Sequence, residues 1–187
     1  IWKINTATKK GNIIPFSVEV VHKVAETLQF KNNAFEDEFQ VKVLRNFVTA
    51  PNGKFAIFNA LGYLWKVNLP NGKPKQLIKG NDFQFEPTFS KDGNKITYVT
   101  WNDEEMGAVW MANSSGGGAK KLTTNKGIYR NPSFAPDGKT IVFEKTRGNH
   151  HQGYTYCKNP GLYLVSANGG ESKKITDKGE YPIFSSE

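Results

Sequence analysis

One repeating unit constrains this chain more than any other feature. Its clearest copy runs from Gln84 to Thr124, QFEPTFSKDGNKITYVTWNDEEMGAVWMANSSGGGAKKLTT. The unit holds Phe-Ser-Lys-Asp-Gly, an alternating run from Lys95 to Trp101, an acidic loop, an apolar run around Trp110, a triple-glycine turn and Lys-Lys-Leu-Thr. Asp-Gly supplies the positive φ that tight hairpins need, so the unit reads as four short strands separated by turns. The turn recurs as Phe-Ala-Pro-Asp-Gly at 134–138 and, more weakly, as Thr-Ala-Pro-Asn-Gly at 49–53. Phe47, Pro87, Pro132 and Pro182 stand at matching places ahead of the turns. The third strand recurs as Ile1-Trp2, Leu64-Trp65, Val109-Trp110 and Leu162-Tyr163, and the fourth as Lys75 to Leu77, Lys120 to Leu122 and Lys173 to Ile175.

Four strands per repeat, at a period of roughly forty to fifty residues, are the pattern of β-propeller blades. The expected fold is therefore all-β, a propeller fragment of four-stranded antiparallel blades. As a single domain over 1–187 it comprises a partial blade at 1–20, an insert at 21–41, complete blades at 44–78, 83–124 and 128–177, and the start of another blade at 181–187. The partial blade supplies a third strand and a long fourth strand over 12–20, in which Ile14, Phe16, Val18 and Val20 alternate. The insert allows a short helix over Val24–Leu28. Second strands such as Phe55–Phe58 are apolar on both faces, as interior blades require. Trp2, Trp65, Trp110 and Tyr163 are read as blade-packing residues. An arc with two raw ends predicts exposed apolar faces and association of two copies in a C2 dimer.

Composition adds exclusions. With 37% hydrophobic residues and 13% aromatics the chain can build a core. No apolar stretch is long enough to span a membrane as a helix. A single cysteine, Cys157, leaves no internal disulfide. The net charge of +8 is almost all lysine; Arg45, Arg130 and Arg147 are the arginines. The lysines are scattered along the sequence in turns and at strand ends. That argues for solvated, edge-protecting charge and against a nucleic-acid partner.

No nucleophile, base and oxyanion set is visible, nor any phosphate loop or spaced zinc motif. No catalytic residue, metal ligand or cofactor is therefore expected. Asp103, Glu104 and Glu105 lack the spacing of a calcium loop. Asp92 and Asp137 are expected to bond their own turn backbones. The polar, aromatic insertion at 146–161 contains His150, His151, Tyr154 and Tyr156. Together with Arg130 and Trp101, these are the expected ligand-binding residues of the propeller rim or channel. The expected ligand is a protein, peptide or glycan.

The repeat Pro-x-Phe-Ser-x-Asp-Gly-x-x-Ile-x-Tyr/Phe, followed by an apolar-aromatic strand, Gly-Gly and Lys-Leu-Thr, resembles the TolB-like, WD-type repeats of bacterial periplasmic proteins. Four stretches, Ile14 to Val20, Gln40 to Val43, Ala60 to Trp65 and Tyr98 to Asp103, also resemble the propeller found upstream of an amidohydrolase domain in large secreted bacterial proteins. That resemblance implies a non-catalytic accessory domain in a periplasmic or extracellular protein, since the family's metal ligands lie in the barrel. Two alternatives stand beside it: a TolB-like envelope interaction domain, and a fragment of a propeller enzyme with a rim active site. The first turn departs from the pattern, with Thr49 and Asn52 where the repeat has an aromatic residue and Asp. It is expected to form because Asn tolerates positive φ.

Overall fold

The computed structural model describes residues 1–25, 38–147 and 158–185. Fourteen strands and no helix are found among them. The chain divides into two compact units, Ile1–Phe39 and Gln40–Glu187.

In the first unit β1 (Trp2–Ile4) pairs antiparallel with β2 (Gly11–Ile13). The turn between them is built by Asn5, whose Oδ1 accepts from the N–H of Ala7 and of Thr8, both at 3.0 Å. The long fourth strand expected over 12–20 is not formed. Pairing ends where Ile14 N–H bonds the Ile1 carbonyl at 3.0 Å. Among the described residues nothing pairs with 15–20, and alternation without a neighbouring strand does not make a sheet. Trp2 is 63% exposed, so it is not the packing residue its repeat position predicts. Val24 and Ala25 are not helical; the rest of the allowed helix lies outside the described residues.

The second unit holds three four-stranded antiparallel sheets, each a meander in chain order. The first blade comprises β3 (Arg45–Thr49), β4 (Phe55–Ala60), β5 (Tyr63–Asn68) and β6 (Lys75–Gln76). The second comprises β7 (Phe83–Phe89), β8 (Lys95–Asn102), β9 (Met106–Asn113) and β10 (Lys120–Lys121). The third comprises β11 (Tyr129–Phe134), β12 (Thr140–Lys145), β13 (Gly161–Ser166) and β14 (Lys173–Thr176).

Sequence pattern explains how the blades stack. On β8, Ile96 and Tyr98 pack with Ile57, Leu64 and Ile78 of the first blade, whereas Val99 packs with Tyr129, Ile141 and Phe143 of the third. Period-two alternation sends neighbouring side chains to opposite faces, so a blade between two others must be apolar on both. Aromatic pairs join these interfaces. Phe55 meets Phe89 edge-on at 5.6 Å across the first interface, and within the second blade Tyr98 stacks on its cross-strand partner Trp110 at 6.5 Å.

The three hairpin turns after β3, β7 and β11 share one design. Gly53, Gly93 and Gly138 take φ of 67°, 72° and 67°. The residue before each glycine accepts the N–H two positions on: Asn52 from Lys54 at 3.0 Å, Asp92 from Asn94 at 3.1 Å and Asp137 from Lys139 at 2.9 Å. Asn52 therefore substitutes for Asp through its side-chain oxygen, while Gly53 rather than Asn52 carries the positive φ.

Candidate functional site: the inner wall of the blades

The first strands of the blades, β3, β7 and β11, are neighbours, and each carries the same irregularity. Two residues oppose one partner between Arg45 and Val48, between Phe85 and Thr88, and between Arg130 and Ser133. These are β-bulges, which bend a strand and re-aim its side chains. Pro87 and Pro132 sit inside them, where a missing N–H costs the ladder nothing. The first residue of each bulge takes a left-handed conformation, Asn46 ahead of Phe47 at φ 49° and, ahead of the prolines, Glu86 at 52° and Asn131 at 50°. Tyr181, ahead of Pro182, repeats it at 52°.

Asn visits this region readily; Glu and Tyr do so at a cost of about 1–2 kcal/mol. At Glu86 the surroundings hold the strain. Its carboxylate accepts from Arg130 Nε at 2.5 Å and from the Asn131 N–H at 2.6 Å. Asn131 Nδ2 in turn donates to Glu144 at 3.3 Å, and Thr88 Oγ1 donates to the Pro132 carbonyl at 2.5 Å. The second and third blades are thus stapled along their inner strands.

The three bulges and the segment at Tyr181 converge on one depression of about 260 Å3, lined by 46–48, 86–88, 131–133 and 181–183. Its wall is mostly apolar, from Phe47, Val48, the prolines and Ile183, with Glu86, Thr88, Asn131 and Ser133 interspersed. Phe47 is 52% exposed and Ile183 83%. A concave apolar wall with a few fixed polar groups suits a binding site. It contains no general base aimed at a nucleophile.

The rim residues fare differently. His150, His151, Tyr154 and Tyr156 lie outside the described residues. Trp101 is the penultimate residue of β8 and donates from Nε1 to Asp103 at 3.0 Å. It borders an opening of about 750 Å3 with Lys126, Tyr129 and Tyr163. Arg130 does not line that opening; its guanidinium is taken by Glu86 on the inner wall. The structure therefore does not bring Trp101 and Arg130 together. The acidic loop is engaged locally: Asn102 Oδ1 caps the N–H of Glu104 and Glu105 at 3.1 and 2.5 Å, and Lys126 pairs with Glu105 at 3.5 Å. Among the described residues no group of three His, Cys, Asp or Glu side chains could hold a metal ion, and no helix is long and apolar enough to cross a membrane.

Sequence reasoning noticed the recurring proline but missed the residue before it. The signal was present in Asn46-Phe47, Glu86-Pro87, Asn131-Pro132 and Tyr181-Pro182. What it lacked was the bulge, which only strand pairing displays.

Three stacked four-stranded meanders with bulged inner strands define a β-propeller module. Its blades have the TolB-like propeller fold. TolB from Acinetobacter baumannii superposes with a TM-score of 0.57 at 20% identity, over 73% of this chain and 33% of that one. An oligogalacturonate lyase in complex with manganese superposes with a TM-score of 0.57 at 13% identity, over 72% of this chain and 40% of the lyase. The tricorn protease gives 0.50 at 19% identity, over 66% of this chain and 13% of the protease. The chain thus spans a third of the TolB structure and less than half of the others. No family model and no curated protein matches the sequence.

Proposed function

We propose that the chain is a non-catalytic binding and scaffold module, and that its inner wall holds an extended peptide or glycan. The observation that carries this reading is the alignment of left-handed residues, three in bulges at Asn46, Glu86 and Asn131 and a fourth at Tyr181, around one apolar depression. Strain held at matching places in successive repeats has a use when it re-aims side chains toward a ligand. His150, His151, Tyr154 and Tyr156, together with Trp101, are proposed as a second set of ligand contacts at the rim. The resemblance of Ala60 to Trp65 and Tyr98 to Asp103 supports an accessory role beside an amidohydrolase-type hydrolase in a periplasmic or extracellular protein. Ile175 on β14, 53% exposed, supports pairing of two copies through a blade face.

Selection of displayed heptapeptides on the immobilised chain tests the inner wall. Enriched peptides should lose at least about tenfold in affinity on a Phe47→Ser, Ile183→Ser double variant. Selection without enrichment, or enriched peptides indifferent to that variant, would remove the wall as the site. The full reading frame tests the accessory role: a following barrel with paired histidines supports it, and any other neighbour ends it.

A further inference from the structure

The lysines that look scattered in sequence gather on one edge of the blades. Strands in each meander alternate in direction, so the turns after the first and third strands emerge on the same side. The two turns touch in every blade: Leu69 N–H bonds the Lys54 carbonyl at 2.9 Å, Ser114 N–H that of Asn94 at 2.8 Å, and Ala167 N–H that of Lys139 at 2.8 Å. With the residue that follows each, the first-to-second-strand turns contribute Lys54, Lys91, Lys95 and Lys139. The third-to-fourth-strand turns contribute Lys73, Lys75, Lys120 and Lys173. Three carboxylates share this face, Asp92, Asp137 and Glu171. All eight lysines are exposed, and none is in an ion pair among the described residues. The opposite edge carries Asp82, Asp103, Glu104, Glu105, Asp177 and Glu180 and is close to neutral.

The face is built rather than merely charged. Lys66, part-buried, lies 3.8 Å over the Phe55 ring and donates to the Ser114 carbonyl at 3.1 Å. Lys120 repeats the contact one blade on, donating to the Asn168 carbonyl at 2.7 Å. These bonds fix the third-to-fourth-strand turns of the second and third blades against the preceding blade without neutralising the cation. Depressions of about 470 and 580 Å3 flank Lys139, both bordered by Lys95 and Gly138. A third, of about 350 Å3, is bordered by Lys66, Lys73 and Lys75 with no carboxylate.

We propose that this turn face binds a linear carboxylated polysaccharide, its carboxylates spaced over the lysines and its hydroxyls meeting Asn71, Asn94, Ser115 and Asn168. The absence of arginine selects this class. Arg45, Arg130 and Arg147 all lie toward the opposite edge, so the face has no bidentate fork for phosphate or base edges. Its six turns carry no aromatic side chain on which a base could stack. Lysine ammonium groups are hydrated point charges, suited to spaced carboxylates.

Retention of the whole chain on immobilised alginate at 50 mM and 200 mM salt tests the proposal. Binding should weaken at least about tenfold with that rise in salt, as screened charge contacts do. It should weaken at least about tenfold again in a Lys95→Glu, Lys139→Glu, Lys173→Glu variant. A Lys79→Glu, Lys126→Glu, Lys178→Glu variant reverses the same number of charges on the other edge and should bind as the parent does. Circular dichroism of each variant verifies the fold. Equal loss in both variants, equal binding to neutral dextran, or no binding to alginate, with or without lysine-dependent binding to single-stranded DNA or phosphatidylserine vesicles, would each overturn it.

Discussion

Gln84 gives the sharpest test of how the blades are joined. It is 2% exposed at the start of β7, yet its side chain serves the first blade. Its Oε1 accepts the Leu64 N–H at 3.2 Å and its Nε2 donates to the Ile78 carbonyl at 3.3 Å. The Leu64 carbonyl is already paired with Leu77 at 2.8 Å, so Gln84 completes a ladder position that the two-residue β6 leaves open. The second blade solves the same problem internally: Thr123 Oγ1 accepts the Val109 N–H at 3.0 Å. Gln84→Met keeps the volume and removes both bonds. The Ile78 carbonyl retains Gln76 Nε2 at 3.3 Å, but the Leu64 N–H is left buried and unpaired. An orphaned buried donor costs about 1–3 kcal/mol and the lost carbonyl bond about 0.5–1.5, giving about 3 kcal/mol in all. For a chain of this size that lowers Tm by about 6–12 °C in a calorimetric melt. Gln84→Glu keeps the acceptor and sets a buried carboxylate against the Ile78 carbonyl. Its acid form is favoured in the fold, so this variant should be most stable at acid pH and lose stability as pH rises. A Gln84→Met shift below about 2 °C would refute the ladder-completion argument.

Further outcomes follow from the same geometry. Thr123→Val orphans the Val109 N–H and should cost about 2 kcal/mol by urea melt, additive with Gln84→Met because the two orphaned donors, Val109 and Leu64, lie in different blades. Gly116→Ala puts a Cβ 2.1 Å from the Leu77 carbonyl oxygen at φ 96° and should cost at least about 2 kcal/mol. Gly117→Ala, with nothing within 4 Å, should be nearly silent in the same melt. Glu86→Ala removes the partner of Arg130 and of the Asn131 N–H and should cost about 2 kcal/mol, a loss that added salt does not erase. Burial pushes the Tyr129 hydroxyl up to about 12, and burial with the nearby Asp82 pushes Tyr98 up as well. Both phenols hold their protons more tightly folded than unfolded, so stability should fall as pH rises above about 10, and phenolate absorbance from these two should appear only with unfolding.

The sequence by itself determined the blades. Phe-Ser-Lys-Asp-Gly and its copies placed turns where the structure has them, and two-sided apolar strands such as Phe55–Phe58 required a neighbour on each face. These signals are local: a turn needs four residues and a strand period needs two. The repeat also carried Trp65, Trp110 and Tyr163 to half-buried positions, but failed at Trp2, which sits in a two-stranded hairpin rather than a four-stranded blade, because packing depends on the sheet built around a residue and not on its repeat position. Tertiary structure alone decided the inner wall. The left-handed backbone at Glu86 and Asn131 follows from bulged pairing, and a bulge is a relation between two strands. It likewise decided the charge. Lys54 and Lys73, or Lys139 and Lys173, are separated along the chain, but an antiparallel meander returns every second turn to one edge. A scatter in one dimension thereby becomes a basic face in three.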